Sequence, residues 1–122
     1  MQICDYFELF SKENPKKKIL EIDNKEYSYK DLNNYLLIYY YFLKKNKISN
    51  NQKVAIFLEN CLEFYLSFLI GSFLKLTIVP LNNKLNSDQI FKQIKTLNIK
   101  QIITSKKYKF SLYFKLNFWI YI

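Results

Sequence analysis

Five consecutive apolar residues, Val54-Ala55-Ile56-Phe57-Leu58, constrain this chain more than any other stretch. A half-exposed strand alternates apolar with polar residues. A run without alternation, bounded by polar residues, reads as a strand covered on both faces. Two shorter runs follow: Thr77-Ile78-Val79, halted by Pro80, and Gln101-Ile102-Ile103-Thr104. Each gap between them holds a helical pattern. Asn60 is placed to cap a helix running to about Leu74 that is apolar nearly all round, as a helix between a sheet and another layer would be. Asn86, with Gln89 three residues on, starts another, carrying Ile90, Ile94 and Leu97 inward. Three strands joined by two helical crossovers are consecutive βαβ units. The fold class is α/β, with a parallel sheet, right-handed connections and helices on its faces.

The upstream residues read as a lead into that unit. Ile3, Phe7 and Phe10 recur at helical spacing until Pro15. Ile19 to Ile22 alternates, Asp23-Asn24-Lys25 offers a turn, and Glu26 to Ser28 returns, which is a small hairpin. Ser28 with Asp31 forms a capping box with Asp in place of Glu. A long helix then buries Leu32, Leu36, Tyr39 and Leu43, and dissolves in the Lys44 to Asn51 loop. In the run Tyr39-Tyr40-Tyr41-Phe42 neighbours point in different directions, so it reads as packing and surface, not as a stacking platform. From Phe110 to Ile122 apolar residues hold every even position, a strand pattern and an aggregation hazard on an open edge.

Composition bounds the rest. The chain has 122 residues, room for one domain, and is 50% hydrophobic and 19% aromatic. Every basic residue is a Lys, and there is one Gly and no His. This bias, with abundant Asn, Ile, Tyr and Phe, fits a strongly AT-rich genome, such as that of a reduced bacterium or an organelle. The net charge of +9 is spread over Lys runs where elements should end, at Lys16 to Lys18, Lys44 to Lys47 and Lys106 to Lys109. These read as solvated surface. Without Arg no bidentate guanidinium reads phosphate or guanine, so no nucleic-acid partner is expected. Cys4 and Cys61 read as free thiols, with no His to complete a zinc site. The N-terminus lacks a secretory pattern, and Phe64 to Leu74 is shorter than the ~20 residues a transmembrane helix needs. The expected location is cytoplasmic, or the plastid stroma if the gene is organellar.

Four words then occur in order: Tyr27-Ser28-Tyr29-Lys30-Asp31-Leu32; Leu58, Asn60, Glu63 and Phe64; Pro80-Leu81-Asn82; and Ile103-Thr104-Ser105. In this register they resemble the opening of the acyl-adenylate-forming, AMP-binding ligases of the acyl-CoA synthetase type. The resemblance covers residues 1–109, as part of a larger N-terminal ligase domain, and leaves 110–122 as an aromatic tail outside the family pattern. Lys75 departs from it, standing where the family usually has a small residue, often Gly. The resemblance implies, for a full-length relative, formation of an acyl-adenylate from ATP and a carboxylic acid, then transfer to coenzyme A, with magnesium. The short lead before Tyr27 suits a compact member such as an o-succinylbenzoate–CoA ligase of menaquinone or phylloquinone synthesis.

The chemistry of such a ligase is not written in these residues. Cradling a triphosphate needs backbone N–H groups in close approach, hence glycines. Gly71, inside a buried helix, reads as a packing position. The carboxylates are scattered at helix starts and loops, and Glu59-Asn60 reads as a turn and cap. No residue is assigned a catalytic, cofactor-binding or metal-binding role, and the chain alone is expected to be inactive. Its expected partners are the remainder of a ligase or a second copy met at an exposed sheet edge. Two other readings stay open: a small interaction module using that edge, and a basic membrane-peripheral protein.

Overall fold

The computed structural model describes residues 2–105 and 119–121. Helix α1 (Ile3–Glu13) leads into a hairpin of β1 (Lys18–Ile22) and β2 (Lys25–Ser28). Ile22 pairs with Lys25, so the loop is Asp23 and Asn24. Their φ angles, 50° and 65°, are those of the primed two-residue turn whose twist suits a hairpin. The chain continues through α2 (Tyr29–Lys45), β3 (Lys53–Phe57), α3 (Leu62–Leu74), β4 (Thr77–Pro80), α4 (Ser87–Thr96) and β5 (Ile102–Thr104). A last strand, β6 (Trp119–Tyr121), closes the order.

The sheet runs β4-β3-β5-β6, and every neighbouring pair is parallel. The first crossover moves from β3 outward to β4; the second returns past β3 to β5. Two crossovers in opposite directions put α3 and α4 on opposite faces when both have the same hand. The packing shows this arrangement. Val54, Ile56, Leu58 and Ile103 pack with α1, α2 and α3, while Ala55, Phe57 and Ile102 pack with Ile90 and Ile94 of α4. The unbroken apolar run of β3 is thus two alternating faces, each with its own core. Val54, Ala55 and Ile56 have no exposed area at all.

The apolar runs predict three strands in this sheet, and the structure adds a fourth. β6 pairs by backbone with β5, from Ile102↔Trp119 to Thr104↔Tyr121. The rest of the alternating stretch, 110–118 and 122, lies outside the described residues.

The burial expected for α2 is met in full at Leu32, Leu36, Tyr39 and Leu43. Helix α3, apolar all round, is covered by β4 on one side and by α1 and α2 on the other. In α1, Phe7 is buried, but Ile3 is 62% and Phe10 43% exposed. The inward line is Cys4, Phe7 and Ser11, because Cys4 N–H donates to Ser72 Oγ of α3 and Asn33 of α2 bonds Ser11. One inward assignment, that of Leu97, needs correction. In α4, Leu97 is the exposed C-cap; Asn98, at φ 53°, turns the chain so that Ile99 takes the inward place.

Candidate functional site

Three of the four sequence words fall on one edge of the sheet. Parallel strands end together, so the segments after β3, β4 and β5 share the carboxyl edge, the edge that receives ligands in open α/β sheets. β3 lies between the other two. After Phe57 come buried Leu58, exposed Glu59 and Asn60, and half-buried Cys61, which leads into α3. After Pro80, Leu81 is buried and its N–H donates to Ile56 O at 2.9 Å. Asn82 Oδ1 then accepts from Lys84 N–H at 2.9 Å, a local turn that points the chain into α4. Thr104 ends β5 fully buried, its hydroxyl donating to Phe57 O at 2.9 Å. That bond ties β3 to β5 where the crossovers diverge, which is the switch point of the sheet.

Chemically this edge is sparse. Glu63 and Asp88 sit in the first turns of α3 and α4, where a carboxylate meets the positive helix end. Burial pushes the Cys61 thiol above its ordinary pKa, so at neutral pH it stays protonated and is a weak nucleophile. Among the described residues no three His, Cys, Asp or Glu gather as a metal site would require. Gly71 is not at this edge: it packs α3 onto β4, and a Cβ there would lie 2.6 Å from Ile78 Cγ1. Among the described residues the groups at this edge pack, cap and turn the chain, and so can shape and support a crevice.

The fourth word serves a different end. Ser28 Oγ accepts from Asp31 N–H at 3.1 Å, and Asp31 Oδ2 accepts from Ser28 N–H at 2.9 Å. This is a reciprocal capping box at the start of α2. The bonds from Ser28 hold the Asp31 carboxyl below its usual pKa, with Lys18 nearby at 3.8 Å. The cap expected from Asn60 is not found: Cys61 holds the N-cap position of α3, with no side-chain bond to the helix.

Other concavities open among the described residues. A groove of about 330 Å³ runs between α2 and α3, lined by Tyr35, Ile38, Phe42, Leu62 and Leu66 among others. Beneath it Tyr39 and Ser67 share a hydrogen bond of 2.7 Å, and Ser67 Oγ donates to Glu63 O at 2.7 Å. Burial raises the Tyr39 phenol well above its ordinary pKa. An open depression of about 540 Å³ lies at the opposite, amino edge, lined by Lys47, Gln52, Lys53, Asn98, Lys100 and Gln101. In the sequence the Lys44 to Lys47 run stands apart from Lys53 and Lys100; the parallel topology brings Lys47, Lys53 and Lys100 around one depression.

Comparison with known proteins bears on the same residues. The sequence pattern of the family described as "AMP-binding enzyme" matches residues 7–115. Over 61 residues, 50% of this chain and 11% of the relative, it is 41% identical to 4-coumarate–CoA ligase 1 of Arabidopsis thaliana. The unliganded o-succinylbenzoate coenzyme A synthetase of Bacillus subtilis superposes on 95% of the chain with TM-score 0.86 and 16% identity. The N-terminal subdomain of NpsA from Klebsiella oxytoca, in complex with 3-hydroxybenzoyl-AMSN, superposes on 84% with TM-score 0.78 and 21% identity. At those identities the two structures share the fold. The chain spans 24% and 26% of their respective lengths.

Proposed function

This chain belongs to the AMP-binding enzyme family, and from that premise we propose that it is the opening segment of an ATP-dependent acid–thiol ligase. Its role is to build the sheet on which such an enzyme assembles. One observation carries the proposal: the family pattern runs over residues 7–115, while the chain spans only 24% of a ligase that it overlays along 95% of its own length. The carboxyl edge fits this role. Its groups pack and cap, and leave ATP, magnesium and coenzyme A to residues contributed by the rest of a ligase.

For the acid, we favour o-succinylbenzoate. The support is the overlay with the Bacillus synthetase, at TM-score 0.86 along 95% of the chain. The identity to a coumarate ligase supports an aryl acid more broadly.

The test is an assay of the full chain with ATP, magnesium, coenzyme A and either o-succinylbenzoate or 4-coumarate, reading pyrophosphate release. The expected result is no release with either acid. Release that depends on one acid would overturn the assignment of a purely architectural role.

A further inference from the structure

The charges of the α/β unit are sorted by edge. From Leu32 to Ser105 the chain has three carboxylates and nine lysines. The carboxylates Glu59, Glu63 and Asp88 all lie at the carboxyl edge, in the β3–α3 loop and the first turns of α3 and α4. Seven lysines lie at the amino edge, where every helix-to-strand connection of a parallel sheet must pass. Lys44, Lys45 and Lys47 close α2, Lys53 opens β3, Lys75 closes α3, and Lys95 and Lys100 flank the α4–β5 turn.

Helix dipoles favour lysines at this edge but do not neutralise the excess. The ends of α2, α3 and α4 offer roughly half a negative charge each, and Asp5, in the first turn of α1 beside the end of α3, adds one, about two and a half against seven positive. Internal partners take up little more. Lys53 Nζ donates to Leu97 O at 2.8 Å, while Lys44 and Lys95 lie over the rings of Tyr40 and Phe91. Among the described residues the one lysine within ion-pair distance of a carboxylate is Lys18, next to Asp31 and away from this edge.

We infer that the amino edge docks on an anionic lipid surface, its lysines set among headgroup phosphates around the open depression. Two features select lipid over nucleic acid. Among the described residues the depression is lined by lysines and amides, with no aromatic ring to stack a base, and the chain has no arginine to read one. Exposed apolar side chains accompany the lysines: Leu97 is 39% exposed, and Ile3, 62% exposed, lines a second depression together with Lys75. Short apolar points beside a polybasic patch suit a headgroup layer. The inference does not depend on the ligase reading.

Vesicle flotation of the full chain tests it, since aggregates do not float. Phosphatidylcholine vesicles are compared with vesicles also containing phosphatidylserine. The chain is expected to float with the anionic vesicles only, and to be released at about 0.5 M salt, where screening is nearly complete. Each lysine near such a surface is worth about fivefold in partitioning, so Lys45→Gln, Lys47→Asn and Lys100→Gln together should lower it about a hundredfold. Removing the same charge elsewhere, with Lys16→Gln, Lys17→Gln and Lys25→Gln, should change it far less; circular dichroism checks that both variants fold. Failure to float, equal flotation without phosphatidylserine, or equal loss in both variants would overturn the inference. So would displacement of the bound chain by RNA at matched phosphate concentration, which would make the partner nucleic acid. The first comparison needs no variant.

Discussion

Lys75 shows how one departure from a family pattern becomes physical. It closes α3 with φ 55° and ψ 39°, the left-handed conformation, while Leu76 N–H donates back to Gly71 O at 2.8 Å. Glycine holds this conformation without strain, and a side chain there costs about 1 kcal/mol. Lys75→Gly should therefore raise unfolding stability by about that amount in a denaturant titration; no gain would mean the cap is relaxed in solution. The chain's own glycine sits four residues earlier for a different reason. Gly71→Ala should gain helix propensity but drive Cβ into Ile78, 2.6 Å away. Overpacking of about 1–3 kcal/mol outweighs a propensity gain of about 1, so the variant should be less stable than the parent. With Ile78→Ala already in place, the same substitution should stabilise. A substitution with one sign in both backgrounds would remove the close-approach explanation. The packing role of Gly71 was legible in the sequence. The αL cap was not, because residue type alone does not reveal that Lys75 stands at positive φ.

At the scale of elements, α2 and α3 meet through a buried polar contact inside an apolar face. Tyr39 and Ser67 bond each other, and the Ser67 hydroxyl also reaches Glu63 O. Ser67→Ala leaves a buried phenol without that partner and should cost about 1–3 kcal/mol, whereas Tyr39→Phe leaves Ser67 bonded to the helix and should cost nearer 1. Equal costs would argue against this asymmetry. The phenol also sets a pH dependence. Its folded pKa is raised above the ordinary 10.0, so the folded state keeps a proton that the unfolded chain loses. The stability it contributes is complete below pH 10 and declines as pH rises beyond it. Tyr39→Phe should flatten that alkaline decline in thermal melts; an unchanged slope would place the titration elsewhere. Elements of this kind were the most legible part of the sequence. The face of α2 and the capping boxes at Ser28 and Asn86 follow from local spacing and local bonds. Tertiary contacts decided the rest: neighbours set which side of α1 turns inward, and the αL turn at Asn98 puts Ile99, not Leu97, in the core.

The whole molecule presents apolar surface on its outer helices. On α2, Leu37, Ile38 and Tyr41 are 57%, 66% and 64% exposed, and the α2–α3 groove lies beside Ile38. Among the described residues β4 has a neighbour on one side only, so an edge is also open. Sedimentation should show association that rises with concentration and weakens in Ile38→Glu/Tyr41→Glu; a monomer at all concentrations would contradict this. The sheet, its α/β class and the family were legible because buried parallel strands lose their alternation and the four words keep their register. The edge-wise sorting of lysines was not, since it appears only when three connections converge on one edge. The central claim is that this chain carries the sheet of an AMP-binding ligase and leaves the chemistry to other residues. Reading the nucleotide sequence beyond the codon for Ile122, in every frame, tests it most directly. The account predicts a Gly/Ser/Thr-rich phosphate loop in one of those frames. Its absence from all of them would contradict the claim and make this fold a free-standing protein.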